Sequence, residues 1–273
     1  MAHRIVNRVL ETHVTPFIAS HREALPLRAL ARCCSRFLDA YHNVNCECSA
    51  NGELFVLDRL ATADFREVID VGANAGAWTT LAREAFPNAV IHCFEIDEDT
   101  CGRLADQVSA LDRVRVNRCG LSDTSGETWF KSYPTAPEVT SIFDYPHTVP
   151  SVRKRGLLTT GDEYLEANHL DRVDFVKIDV EGAERQVLDG FVKTISRGVI
   201  DVIQFEYGRA NILARQFLRD MYAFFDTYGY AIGKIYPNRV DFKPYDLADE
   251  DFRGLNYLAV RRSREDLITR LSK

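Results

Sequence analysis

Apolar residues in this 273-residue chain fall into two alternating patterns. Short, nearly unbroken apolar runs, such as 68–71, 89–94, 173–178 and 199–205, alternate with stretches whose apolar positions recur at helical spacing. Runs of strand length with so few polar interruptions are expected where both faces of a sheet are covered. The pattern predicts strands over 67–71, 89–94 and 113–117, then over 173–179, 199–205, 230–236 and 257–261, with an extra strand over 127–133. Between them it predicts helices over 53–60, 77–86, 100–108 behind an Asp97 cap, and 161–168 behind a Thr160 cap. A further helix begins near Glu181, with Val187, Leu188 and Phe191 on one face, and a long one spans 212–228. The order βαβαβ, then βαβαββ, predicts one mostly parallel sheet with helices on both faces and an antiparallel last strand.

Two regions stand outside that alternation. Residues 1–42 read as helical and mildly basic, with Arg4, Arg8, Arg22, Arg28, Arg32 and Arg36 against Glu11, Glu23 and Asp39, and with Pro16 and Pro26 dividing them. The apolar stripes there are short. This favours a packed extension or a cap over the site, ahead of a homodimer arm or a weak membrane-surface contact. The turn at Asn51-Gly52 sets the domain division at 1–50 and 51–273. Residues 134–158 lack periodicity and carry Pro134, Pro137, Pro146 and Pro150 with Phe143, Tyr145, His147, Arg153, Lys154 and Arg155. A patternless stretch of that length inside a compact domain reads as an acceptor-binding lid, ahead of a solvated insertion.

Composition narrows the choice of partners. A hydrophobic content of 46% suffices for a packed core, and a formal net charge of −6 argues against broad nucleic-acid binding. No apolar run reaches the roughly 18 residues of a transmembrane helix, and the N-terminal stretch lacks the apolar core of a secretory signal. Seven cysteines, an odd number without paired zinc spacing, read as reduced thiols in a cytoplasmic protein.

The candidate chemistry begins at the first strand end, Val68-Ile69-Asp70-Val71-Gly72-Ala73-Asn74-Ala75-Gly76. Glycines let a backbone bend sharply beside a ligand. A dinucleotide turn would read Gly-x-Gly-x-x-Gly; here an acid faces the turn instead, which disfavours a nicotinamide dehydrogenase. An acid suits a ligand with a cationic end, such as the ammonium of S-adenosylmethionine. Glu95 ends the second strand about 20 residues after Gly76, the separation at which a ribose-binding acid follows such a turn. The turn Cys119–Asp123, with Ser122 and Asp123, follows the third strand and should lie near an adenine.

With a second landmark, Asp174-Phe175-Val176-Lys177-Ile178-Asp179-Val180-Glu181-Gly182-Ala183-Glu184, the chain resembles the FkbM family of methyltransferases. Leu121-Ser122-Asp123 and Ile203-Gln204-Phe205-Glu206 also match its pattern, and the resemblance covers residues 51–261. One departure is Ile96, where the family commonly has proline after the acid. The resemblance implies a class I, Rossmann-like methyltransferase with a seven-stranded sheet and S-adenosylmethionine as donor. It also implies O-methylation of a small-molecule or glycan hydroxyl, and it leaves the N-terminal extension unexplained.

An alcohol acceptor must lose its proton as the new bond forms, which calls for a base or a metal. Asp179, Glu181 and Glu206 sit at neighbouring strand ends, where they could raise one another's pKa or, through Asp179 and Glu206, hold a cation such as Mg. Asp179 also faces the donor. His147 is an alternative base. Against these readings, acids in a first helical turn are favoured by the helix dipole alone, and Lys177 could simply neutralise Asp179 or Glu206. A non-catalytic donor-binding module, or a polyketide, carboxyl or amine acceptor, remain the competing functions.

Overall fold

The computed structural model describes residue 8, residues 10–144 and residues 148–273. Tyr145, Pro146 and His147 of the expected lid lie outside the described residues. The chain divides into two compact units, 1–44 and 45–273.

The first unit contains helices α1 (Thr15–Ser20) and α2 (Leu25–Tyr41). Pro16 and Pro26 do not interrupt helices; each sits in the first turn of one, where a missing N–H costs nothing and the fixed φ is already helical. No residue of either helix is buried.

The second unit opens with α3 (Glu53–Leu60), then β1 (Glu67–Val71), α4 (Ala77–Ala85), β2 (Val90–Phe94), α5 (Glu98–Val108) and β3 (Val114–Asn117). Strands β4 (Gly120–Leu121), β5 (Gly126–Ser132) and β6 (Val152–Thr159) precede α6 (Gly161–Ala167) and β7 (Val173–Ile178). After α7 (Glu184–Gly190) and α8 (Val192–Ser196) come β8 (Ile200–Glu206), α9 (Ala210–Ala214), α10 (Leu218–Thr227), β9 (Tyr230–Tyr236), β10 (Arg239–Phe242), β11 (Asn256–Arg261) and α11 (Glu265–Leu271). The main sheet has the order β10-β9-β11-β8-β7-β1-β2-β3. Strand β11 runs antiparallel between β8 and β9, while β8, β7, β1, β2 and β3 are parallel. This is a Rossmann-like, doubly wound α/β architecture.

Alternation along each central strand feeds two cores. Ile69, Val71, Val176, Ile178, Ile203 and Phe205 pack with α7 and α10 on one face. Val68, Phe175, Val202 and Leu258 pack with α3, α4 and α11 on the other.

Four expectations need correction. The main sheet has eight strands, not seven, because β10 folds back on β9 directly after Tyr236. The patternless stretch 134–158 ends in a strand: β6 pairs antiparallel with β5 from Val152 to Leu158. Its faces are marked by charge rather than apolarity, so hydrophobic periodicity could not find it. Arg153 and Arg155 lie over the Trp129 ring, while Lys154 pairs with Asp97 and Asp99. The expected helix over 212–228 breaks at Arg215, which has a left-handed φ of 55°. The distant Glu250 carboxylate then accepts from Leu218 N and Arg219 N, starting α10 afresh. Finally, the helix expected near Glu181 begins only at Glu184.

Asp97 holds the small sheet to the large one. It caps α5, accepting from Asp99 N and Thr100 N, and pairs with Lys154 of β6 at 3.0 Å. Burial alone would raise its pKa, but hydrogen bonds from Ser132, Lys154 and Thr100 outweigh burial and hold the carboxyl below its usual range. Asp97→Ala is expected to cost about 1–2 kcal/mol in urea unfolding at neutral pH. A depressed folded-state pKa contributes stability only while the carboxyl is charged. The gap from the parent protein should therefore close as pH falls through that pKa.

Candidate active site

Parallel strands finish on one edge of a sheet, and ligands settle beyond those carboxyl ends. Here the ends of β1, β2, β7 and β8 border a cavity of about 370 Å³. The strand ends are knitted closely: Gly72 N and Ala73 N both donate to Phe94 O, and Asp179 N donates to Val71 O. Gly72 has φ of +78°, and a Cβ on it would lie 1.8 Å from the Asp179 carbonyl oxygen. Only glycine fits where the first turn crosses the end of β7.

On the cavity wall the Glu95 carboxylate accepts from Asn74 N at 3.0 Å and from Asp97 N at 2.9 Å. Burial pushes Glu95 up to about 7 despite those two donors. Asn74 Oδ1 and Trp78 Nε1, both on lining residues, are buried without a hydrogen-bond partner.

Beneath the turn lies a buried charge line. Strand register sets Asp70 beside Lys177, and both side chains are almost wholly enclosed, at 0% and 5% exposure. Asp70 accepts from Thr79 Oγ1 at 2.6 Å, and its other oxygen lies 3.9 Å from Lys177 Nζ. The same ammonium donates to Asp179 at 2.9 Å. Burial would lower the lysine pKa, but Asp179 and Asp70 outweigh it, so Lys177 stays charged.

After β7 the chain turns through Glu181, whose φ of 52° is left-handed, so this acid belongs to a turn and not to a helical first turn. Glu184 fixes the turn by accepting from Val180 N and Gly182 N, and burial pushes it up to about 7. The turn presents Glu181 to Asp179 and Glu206, and one carboxylate oxygen from each of the three lies within 4.8 Å of the others. Burial and the Asp179 charge push Glu181 up to about 8. Burial, with Asp179 and Glu181 beside it, raises Glu206 well above the usual carboxylate range.

Of the residues read from the sequence, Gly72, Asn74, Glu95, Ser122, Asp179, Glu181 and Glu206 line one cavity. Asp70, Gly76 and Asp123 do not reach its wall: Asp70 is sealed behind the turn, Gly76 starts α4, and Asp123 accepts from Ser122 Oγ. His147 lies outside the described residues.

One part of the wall had no legible signal. Glu53, at the start of α3, is held by Asn51 and by Gln204 Nε2 at 2.6 Å, with Asn256 nearby, forming a polar corner from three distant segments. Residues 137–142, part of the stretch read from the sequence as an acceptor-binding lid, close another side. Ser141 anchors them by pairing with Lys131 and by donating from its hydroxyl to Glu181 O at 2.8 Å.

The methyltransferase FkbM domain model matches residues 70–232, from the acid behind the first turn to the middle of β9. The chain belongs to the FkbM methyltransferase family. Among curated relatives, the hexuronic acid methyltransferase AglP of Haloferax volcanii is 30% identical over 51% of this chain and 55% of its own length. Methyltransferase sdnD of Sordaria araneosa is 28% identical over 45% of this chain and 59% of its own. The 2-O-methyltransferase NoeI of Sinorhizobium fredii is 24% identical over 48% and 59%, respectively. The chain thus spans little more than half the length of the curated relatives it matches.

Removing one member of a buried ion pair strands its partner in low dielectric, at a cost of about 3–5 kcal/mol. Lys177→Met is expected to lose that much in denaturant unfolding. Adding Asp70→Asn should restore part of it, and strictly additive losses would show that the two side chains are not coupled.

Proposed function

We propose that this chain is an S-adenosylmethionine-dependent O-methyltransferase whose acceptor is a sugar hydroxyl. The observation that carries the reading is one cavity bordered both by Glu95 and by the Asp179–Glu181–Glu206 carboxylates. Its residues fit the donor. Glu95 can accept from ribose hydroxyls, and the unpartnered Asn74 Oδ1 and Trp78 Nε1 offer further polar contacts. Gly120, Leu121 and Ser122 border the adenine side, and Asp70 positions Lys177 from behind. When bound, the donor supplies a methyl group already activated by the sulfonium, so the protein's work is orientation and proton removal.

Lys177 sits on Asp179, which leaves Glu181 and Glu206 as proton acceptors, and both have the raised affinity for protons that a base requires. The same ammonium already counters the charge a divalent cation would neutralise, so we favour a base over a metal. The relative named for a hexuronic acid supports a sugar acceptor and the one named for 2-O-methylation supports an oxygen as the methylated atom, and the Asn51–Glu53–Asn256 corner offers hydrogen bonds of the kind sugar hydroxyls take. The wall segment 137–142 is the acceptor-side lid in this reading.

Glu95 must be charged to accept two hydroxyl hydrogens, so binding of S-adenosylmethionine should tighten as pH rises through about 7 and then level off. Calorimetry should also show weakened binding in Glu95→Ala, and a flat pH profile in the parent protein would remove Glu95 from the donor site.

Transfer of labelled methyl to a panel of glycosides, hexuronic acids included, tests the acceptor. Activity should rise with pH through about 8, fall by about 10²–10⁴ in Glu206→Gln or Glu181→Gln, and survive chelator. Loss of activity in chelator with recovery in Mg would replace the base by a cation. Donor binding without transfer to any sugar would sink the acceptor assignment.

A further inference from the structure

The first unit carries charge of the opposite sign to the rest of the chain. Residues 1–44 hold six arginines, no lysine and three acids, in a chain whose formal net charge is −6. In α2 this charge is sorted by face. Arg28, Arg32 and Arg36 recur every fourth residue along one side. Leu27, Leu30, Cys34, Phe37, Leu38 and Tyr41 fall at helical spacing along the opposite side. That apolar side is open: Leu30 is 57% exposed, Phe37 69% and Tyr41 68%. The seventeen residues make a helix about 25 Å long, and no helix among the described residues is long and apolar enough to cross a membrane.

We propose that α2 is a membrane-surface helix that seats the protein on an anionic lipid bilayer. An arginine-bearing face opposite a broad Leu/Phe/Tyr face is the pattern of a helix lying in the headgroup plane, apolar side down. The apolar arc is wider than the narrow seam that two coiled helices share. A second copy would also bring the same arginines, whereas a layer of lipid phosphates supplies negative charge to the arginine face, where Asp39 is the one acid of α2, and the acyl chains supply the apolar cover. The short stripes read from the sequence favour packing because Pro16 and Pro26 look like interruptions. With Pro26 in the first turn, the stripe runs the full length of α2.

The test is sedimentation of the full chain with extruded vesicles of phosphatidylcholine alone or mixed with phosphatidylglycerol. The protein should pellet with the mixed vesicles, stay in the supernatant with the neutral ones, and be released by raised salt. Each arginine near an anionic surface contributes about fivefold in partitioning, so Arg28→Gln/Arg32→Gln/Arg36→Gln should lose roughly 100-fold. Leu30→Glu/Phe37→Glu should abolish pelleting. These side chains are exposed, so both variants should keep the parent melting temperature and S-adenosylmethionine affinity. Absence of pelleting with anionic vesicles overturns the proposal, as does equal pelleting with neutral ones or indifference to salt. A dimer in light scattering that Phe37→Glu splits, with no vesicle binding, assigns the face to a second copy and equally overturns it.

Discussion

The candidate site depends on one buried cation. Lys177 lies in the middle of the sheet between Asp70 of β1 and Gln204 of β8, with its ammonium over the Trp78 ring, and that charge is tolerated there because Asp70 and Asp179 flank it. Asp70 is the internal partner and Asp179 the one at the cavity. The lysine thus ties the first glycine turn to the end of β7, the same two elements that Gly72 brings into backbone contact. A motif acid that faces away from the cavity still sets its electrostatics, through the charge it stabilises.

The neighbouring acids follow from the geometry of the second turn. A left-handed Glu181 lifts its side chain out of the helix that begins at Glu184, and Glu184, although an acid in a first turn, is spent on the turn's own N–H groups. The two glutamates are three residues apart and do different work: one shapes the backbone, the other faces the cavity. Burial, with like charge crowded beside it, then raises the proton affinity of Glu206, the property that the proposed base requires.

The parallel core was legible because its strands are apolar on both faces, and the strand-end acids were legible because an acid that closes an apolar run has few structural reasons to be there. Other features could not be read, each for a physical reason. Strand β6 is patterned by charge, with Arg153 over Trp129 of β5 and Lys154 on Asp97, not by apolarity. The break before α10 is imposed by Glu250, more than thirty residues away along the chain. The Glu53 corner is assembled from residues unremarkable in their own segments. An acid before a glycine turn reads equally well as pointing toward the ligand or away from it; only the strand's alternation, which sets Asp70 on the Val68 side, decides.

The excursion between β5 and β6 begins and ends on paired strands, and among its described residues the Ser141 hydroxyl donates to the acid turn at Glu181 O. A loop fastened in that way is modular. Its length and side chains can be exchanged by evolution, or by grafting, while the carboxylates keep their places on β7 and β8. Under the proposed function, what the cavity recognises and what it does to a proton can therefore be inherited separately, and a single scaffold can change acceptors without rebuilding its chemistry.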